Sequence, residues 1–525
     1  MLKLQESSLD KALIHIEKFG DTDIFPVPFE FQAIRQFWET DIRPFIREIN
    51  MLEWELRSFR RMLTPKHKYG FRISTQLDPI DSIIFTALVY EVGADLERAR
   101  MDMTKNISFS SRFAPDDSSG RLYDPDYNWK AFQDYCEHLA NSEEYEYVLV
   151  ADIADFFPRI YSHPLEQALA SATTKVSHVK SIRRCLGQLN GSVSYGIPVG
   201  QSGARLLAEL VLDDVDRGLY AEGIKHCRFV DDFRIFCKSE REALQALTIL
   251  ANLLFENHGL TLQQHKTRVL KMNDFRTVVL NTEDKREFES LQEQFHDIIE
   301  TLGLSNPYEE IEYSDLDEET QAEIDRMNLE EILQQHIEDS NESNDIDITL
   351  VRFILKRLTQ IGNPVSVDLL IENIDKLYPV FKDVMKYFQS VNANTQTKHR
   401  IGEQLLELLN DSLIGHLDYN KMWILNTFTQ DNQWNNEEKF AVLFNEPYDE
   451  YSQRKLILAL GRSRQAFWFR SKRRSISQMN PWMRRAFLAA ASCLPGDQAE
   501  HWYRSLPGLD SLDKVVTKWA LQNRF

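Results

Sequence analysis

Cysteine is sparse and scattered: Cys136, Cys185, Cys227, Cys237 and Cys493 are spread over 525 residues, and no two form a C-x-x-C pair. That spacing argues against a disulfide framework and against a thiolate zinc site. No apolar run approaches the roughly 20 residues a membrane-spanning helix needs, so no membrane partner is expected. The opening MLKLQESSLDKALIHIEKFG lacks the positive start, apolar stretch and small-residue cleavage site of a signal peptide. A cytoplasmic protein is expected. Positive charge is short as well, with 61 Lys and Arg against 81 Asp and Glu, a net charge of −20. A basic face is the usual footprint of phosphate binding, and the chain as a whole does not have one. The acidic excess is local, however. Much of it lies between Glu283 and Asp347, in runs such as YEEIEYSDLDEET and IEDSNESNDID, and total charge says little about the field at any one site.

What is present is an ordinary globular composition, 43% hydrophobic and 27% charged, on a chain too long for one core. A helical pattern runs from Ser8 to Arg60, broken by the loop IFPVPFE. The turn-rich TPKHKYG leads into FRISTQLDPID and a long helix from Asp81 to Arg100. After the loop Phe113–Asn128, EYVLVADI reads as a buried strand, and helices follow from His163 and through SGARLLAELVLDDVDRGLY. HCRFVDDFRIFCK reads as strand, tight turn, strand. EREALQALTILANLLFENHGL reads as an amphipathic helix ending at Gly259, and LQQHKTRVLKM as a further strand. The order predicts an α+β domain with a small antiparallel sheet over residues 1–280, then an acidic linker with helices over 281–347. Residues 348–525 read as helix upon helix, a stacked helical-repeat domain without a strict period.

Two acidic segments carry the chemistry. In VLVADIADFFPRI, Asp152 ends a buried strand, where a carboxylate is costly unless it meets a cation or another partner. In FVDDF, 79 residues on (231 − 152), Asp231 and Asp232 stand at a hairpin tip. Alone, Asp152 reads more readily as a helix cap or a loop residue, and the aspartate pair reads also as a turn. Together they supply what two-metal phosphoryl transfer requires: carboxylates around a pair of Mg2+ ions, with Mn2+ as a substitute, which also relieve the repulsion among the acids.

These segments resemble the reverse transcriptases. Asp152-Ile153-Ala154-Asp155-Phe156-Phe157 looks like the first palm motif, GIPVGQSGARLLAE (Gly196–Glu209) like the second, and Phe229-Val230-Asp231-Asp232 like the Y/F-x-D-D signature. LTLQQHKT (Leu260–Thr267) is similar to the fourth motif with its lysine, and FRISTQLDP and SFSSRF resemble finger segments. The resemblance covers residues 60 to 280 and implies a reverse-transcriptase palm and fingers that join dNTPs into DNA. By position, Asp152 and Asp231 would be the principal metal ligands, with the Ile153 carbonyl helping and Asp232 completing the acidic cluster. Asp155, Phe156 and Phe157 would line the nucleotide site, Phe157 as the wall that rejects a 2′-hydroxyl. Lys266 would be the general acid for the departing pyrophosphate. Arg72 would reach the triphosphate, and Gly200 would let backbone approach the nucleotide. The bland alternatives are a core phenylalanine at 157, a solvated lysine at 266 and a surface ion pair at 72.

Where templated reverse transcriptases carry Pro-Gln-Gly, this chain has Pro198-Val199-Gly200. That form, with RFVDDF, is similar to the bacterial abortive-infection (Abi) and related defence-associated reverse transcriptases. The segment NPWMRRAFLAAASCLPGDQAEHWYRSL resembles their helical-repeat (HEAT-like) domain. This resemblance implies untemplated synthesis of single-stranded DNA covalently attached to the protein and primed from a tyrosine. It also implies a role in antiphage defence and a homo-oligomer. No tyrosine is singled out; Tyr69, Tyr123 and Tyr127 lie in expected loops. The alternatives are a templated enzyme copying a partner RNA and an inactive palm on a helical scaffold. A nuclease is disfavoured because the C-terminal half has no R-x(4–6)-H motif. Finally, Arg462–Arg485 mixes arginines with Phe467, Trp468, Phe469 and Trp482. That pattern suits either a single nucleic-acid strand or an amphipathic helix with its rings in the core.

Overall fold

The computed structural model describes residues 1–67, 70–280, 328–343, 346–430, 433–434 and 437–525. Two compact units divide the chain: Met1–Arg61 with Ser74–Thr282, and Met62–Ile73 with Glu283–Phe525. The first unit therefore differs from a continuous 1–280 domain. The hairpin of β1 (Arg60–His67) and β2 (Gly70–Gln76) leaves it at Arg61 and returns at Ser74. The reason is packing: at its far end the Tyr378 hydroxyl donates to the His67 carbonyl, 3.1 Å away. The helical reading to Arg60 also ends early, since helix gives way after Glu48 and Arg60 opens β1. Most of the expected linker, 281–327 with 344 and 345, falls outside the described residues.

The first unit is built around one helix. After α1 (Glu6–Phe19), α2 (Pro79–Ala99) is buried on every side from Pro79 to Val89, and its apolar residues Ile80, Ile83, Ile84, Phe85, Leu88, Val92 and Leu96 are all buried. Pro79 presets its first turn and the Asp78 carboxylate accepts from the Ile80 amide, 3.1 Å. A small ribbon, β3 (Phe113–Asp116) with β4 (Arg121–Tyr123), precedes α3 (Trp129–Ala140). Then come β5 (Tyr147–Asp152), α4 (Ser162–Ala172), α5 (Val176–Asn190), α6 (Ser202–Val211) and α7 (Asp213–Ala221). The hairpin β6 (Lys225–Phe229) and β7 (Asp232–Cys237), α8 (Glu240–His258) and β8 (Arg268–Lys271) complete it. The four-stranded sheet runs β6-β7-β5-β8, antiparallel throughout. One face packs Val148, Val150, Cys227 and Phe236 against Phe132 and Cys136 of α3, with Phe109, Met272 and Phe275 alongside. Burying a side chain such as Phe132 fully contributes about 1.5–3 kcal/mol.

In the second unit, every element described after Asn328 is helical. α9 (Ile348–Ile361), α10 (Phe381–Ser390), α11 (Asp418–Thr427), α12 (Glu450–Arg462), α13 (Pro481–Ala490) and α14 (Ser511–Gln522) stack in order, each on the next. Asp347, Asp449, Asn480 and Asp510 cap four of these helices through side-chain oxygens.

Candidate active site

Strand register brings the two acidic segments together. Asp152, the last residue of β5, lies directly opposite Asp232, the first residue of β7. The Ile153 amide donates to the Asp231 carbonyl, 3.2 Å. The side chains of a directly opposed antiparallel pair share one face with their Cβ atoms ~5 Å apart, so two carboxylates there repel unless neutralised. Each has a cation. The Lys266 ammonium donates to Asp152 Oδ2 at 2.5 Å, and the Arg234 guanidinium, two residues along β7, holds the Asp232 carboxylate. Lys266 reaches this position from a 3-10 turn, Gln264–Lys266, which stands in place of the strand expected there. Residues 261–263 run beside the first motif: the Gln263 amide donates to the Asp152 carbonyl, 2.8 Å, and the Ala154 amide to the Thr261 carbonyl, 2.9 Å.

The other expected residues fall into three groups. Phe156 is buried and Phe157 half-buried, their rings edge-to-face at 5.6 Å. The second motif lies alongside, because the Ile197 amide donates to the Phe157 carbonyl, 3.0 Å. Asp155 is exposed with φ +48° and precedes the short helix Phe156–Arg159. Gly200 has φ +109°, and a Cβ there would meet Thr22 Cβ at 3.2 Å and Ile24 Cδ1 at 3.3 Å. Packing of its own chain therefore already demands a glycine. The Val199 carbonyl is used too, accepting from the Thr75 amide at 3.2 Å. Arg72 is half-buried in the part of the hairpin that belongs to the second unit, where its charge acts on the Tyr419 phenol. It thus belongs to the other unit from the aspartates. Of the loop tyrosines, Tyr123 is tied down: its hydroxyl donates to the Ser202 carbonyl, 2.5 Å, and burial pushes its phenol well above the usual range. Tyr69 lies outside the described residues.

Sequence reasoning missed the network beneath the hairpin tip. Arg228 is 0% exposed. Its guanidinium donates to Glu209 Oε2 (2.8 Å), to Asp216 Oδ2 (2.7 Å) and to the Val230 carbonyl (3.0 Å). Arg100 and Ser108 meet the same Glu209 oxygen at 2.9 and 2.8 Å, and Glu97 ties Arg100 to Arg112. Arg100, Arg112 and Arg228 thus balance Glu97, Glu209 and Asp216, three charges of each sign. Burial pushes the Asp216 carboxyl up, but Arg228 overcomes it and holds it down at about 2. Val230 has φ +56°, a left-handed conformation that a β-branched residue adopts only when held there. The Arg228 bond to its carbonyl holds it, and the strained residue immediately precedes Asp231. The visible signal was the pair of charges in apolar company, Glu209 in RLLAEL and Arg228 in HCRFV.

Among the described residues, no group of three or more His, Cys, Asp or Glu side chains is gathered to hold an ion. The donor chemistry nonetheless fits a hard divalent cation, since carboxylate oxygens are its preferred ligands and Asp152 already binds one cation, the Lys266 ammonium.

Residues 96–304, under half of the chain, match a family model described as reverse transcriptase (RNA-dependent DNA polymerase). The chain carries a reverse-transcriptase domain. The family so described is one of RNA-dependent DNA polymerases, and the residues matched include both acidic segments. The last residues matched, 281–304, lie outside those described. No curated protein matches the sequence. Solved structures similar to the chain include the apo telomerase of Candida tropicalis truncated from its C-terminal domain, with 14% identity over 46% of this chain and 54% of that one, TM-score 0.31. The Candida albicans telomerase with a TWJ fragment of telomeric RNA shows 12% identity over 81% and 72%, TM-score 0.31. The chain spans about half the length of the first of these. Among the described residues no helix is long and apolar enough to cross a membrane.

Proposed function

We propose that the reverse-transcriptase domain makes DNA from dNTPs without a template, primed from a tyrosine of the protein, as part of bacterial antiphage abortive infection. The observation that supports catalysis is the register of Asp152 with Asp232, with Asp231 bonded through its backbone to Ile153. Asp152, Asp231 and the Ile153 carbonyl would hold Mg2+, or Mn2+ in its place, which supplies charge neutralisation and a more acidic attacking hydroxyl when bound. Asp232, paired with Arg234, shapes the acidic cluster from beside them. Lys266, bonded to the Asp152 carboxylate, carries the ammonium that would protonate the departing pyrophosphate. Phe157 walls the sugar, with Asp155 and Phe156 around it. Gly200 is proposed to let backbone approach the nucleotide, and Arg72 to reach the triphosphate.

The lack of a template is supported by Val199. Where templated enzymes carry a glutamine amide, this chain has an apolar side chain, and the Val199 carbonyl bonds to Thr75. A phenol can replace a sugar hydroxyl as the activated nucleophile. The stacked helices of the second unit are proposed to be HEAT-like repeats, and the working protein a cytoplasmic homo-oligomer.

The test is a denaturing protein gel of nuclease-treated protein incubated with Mg2+ and labelled dNTPs alone. Label that stays with the polypeptide and is removed by DNase is the expected result. No label, together with extension of an added RNA–DNA duplex, would replace this proposal with a templated enzyme copying a partner RNA. In the same assay Phe157→Ala should admit ribonucleotides about tenfold or more better, since removing a wall relieves a clash worth 1–3 kcal/mol. Unchanged sugar selectivity would take the gate away from Phe157.

A further inference from the structure

The second unit sorts the aromatic and basic residues between Arg462 and Arg485 into two sets. Phe469 and Trp482 are 0% and 1% exposed, and Trp468 packs edge-on against Phe469 with ring centroids 5.0 Å apart. Arg454 and Arg485 lie over the Trp482 ring at 5.2 and 4.9 Å, and Arg484 pairs with Asp513 at 2.7 Å. These residues are accounted for by the helical core. Phe467 is not. Its ring is 81% exposed, the most exposed aromatic side chain among the described residues.

Phe467 is the second residue of the helix Ala466–Lys472. Arg470 follows at i+3 on the same side of this helix, Arg474 lies in the 3-10 turn Arg473–Gln478 that directly continues it, and both are exposed. Arg464 precedes them, and Lys472 and Arg473 flank them. In the eleven residues 464–474 there are five cations and no carboxylate, in a chain whose net charge is −20. None of Arg464, Lys472, Arg473 or Arg474 is in an ion pair among the described residues, and Arg470 bonds to the neutral Gln498 amide oxygen at 3.2 Å. Five mutually repelling charges around a solvated ring are costly by themselves. A partner that relieves both terms must be polyanionic and must offer flat π-faces. An acidic protein segment does not set an open ring beside each of its charges and a duplex hides its bases, whereas a single strand presents phosphates and unstacked bases together.

We infer that the face formed by Phe467, Arg470 and Arg474, flanked by Arg464, Lys472 and Arg473, binds single-stranded DNA. That the strand is DNA rests on the function proposed above. The binding does not, and it is measured with no nucleotide triphosphate present, so failure of synthesis and failure of this site remain distinct.

The test is fluorescence anisotropy of a labelled oligo-dT of about 20 nucleotides, longer than ordinary single-strand site sizes, against the full chain. Phe467→Ala, an exposed substitution that spares the core, should weaken binding about tenfold, the loss of one stacked base. It should leave heparin binding unchanged. Arg473→Ala with Arg474→Ala should weaken both ligands and flatten the salt dependence of oligo-dT binding by about 1.4 in log–log slope, about 0.7 per phosphate contact. Four results would overturn the inference: unchanged oligo-dT affinity in Phe467→Ala, an equal loss of heparin binding in that variant, tighter binding of oligo-rU than of oligo-dT, or a change in self-association that marks the face as a protein interface.

Discussion

Asp231→Asn is expected to reduce nucleotide incorporation by ~10³-fold or more, equivalent to ~4 kcal/mol of barrier at 1.36 kcal/mol per decade. The fold should barely change. Asp231 is half-buried at the hairpin tip, and its contact with Ile153 runs through the main chain, which the substitution preserves. An amide keeps the side chain's shape and removes the negative charge on which cation binding depends. Stability should therefore change far less than activity. Incorporation assays beside chemical denaturation separate the two effects. Full activity in the variant would remove Asp231 from the metal site. Asp232→Asn makes a useful contrast, because it strips Arg234 of its carboxylate and should cost stability as well as activity.

The second large effect is expected at a residue far from obvious in the sequence. Arg228→Met fills a similar volume but leaves Glu209 and Asp216 buried without the guanidinium that neutralises them. Breaking a buried pair by removing one partner costs about 3–5 kcal/mol. That is a large share of a typical domain's stability, so much of the protein should lose its cooperative fold at ambient temperature. Arg228→Lys is the informative companion. It restores a charge but not the fork that meets Glu209, Asp216 and the Val230 carbonyl at once. This variant should fold, with incorporation reduced because Val230 is no longer held in its left-handed conformation and Asp231 is no longer aimed. Denaturant midpoints and single-turnover incorporation on the same preparations test both statements. Wild-type midpoints in Arg228→Met would show that the network carries no stability. Wild-type rates in Arg228→Lys would show that the Val230 contact does not position the tip.

The acidic motifs, the small antiparallel sheet and the helical second half were legible because each depends on short-range pattern. An apolar run ending in Asp152, an apolar hairpin with Asp231 and Asp232 at its tip, and amphipathic helices with Asp or Asn caps are properties of neighbouring residues. Element ends were less legible. Helix was expected to continue to Arg60, yet the chain there enters a strand, and at Gln264–Lys266 a strand was expected where a 3-10 turn forms. Both reflect tertiary contacts, here the β1–β2 hairpin and the reach of Lys266 to Asp152. The glycine at 200 has a reason in the Thr22 and Ile24 side chains that no local pattern contains. The aromatic segment before Arg485 carried two readings at once, and packing divided it, three rings inward and Phe467 outward.

Chain order and residue type alone decide which carboxylates stand at strand and hairpin ends and that the region from 348 onward is helical, because strand and helix periodicity are local. Which charges neutralise those carboxylates is a matter of folding. Lys266 on Asp152, Arg234 on Asp232 and Arg228 beneath Val230 combine segments up to 114 positions apart, and burial makes such pairs strong only once the core has excluded water. The membership of Met62–Ile73 in the second unit is decided in the same way, by contacts such as Tyr378 with His67 that arise between residues 311 positions apart.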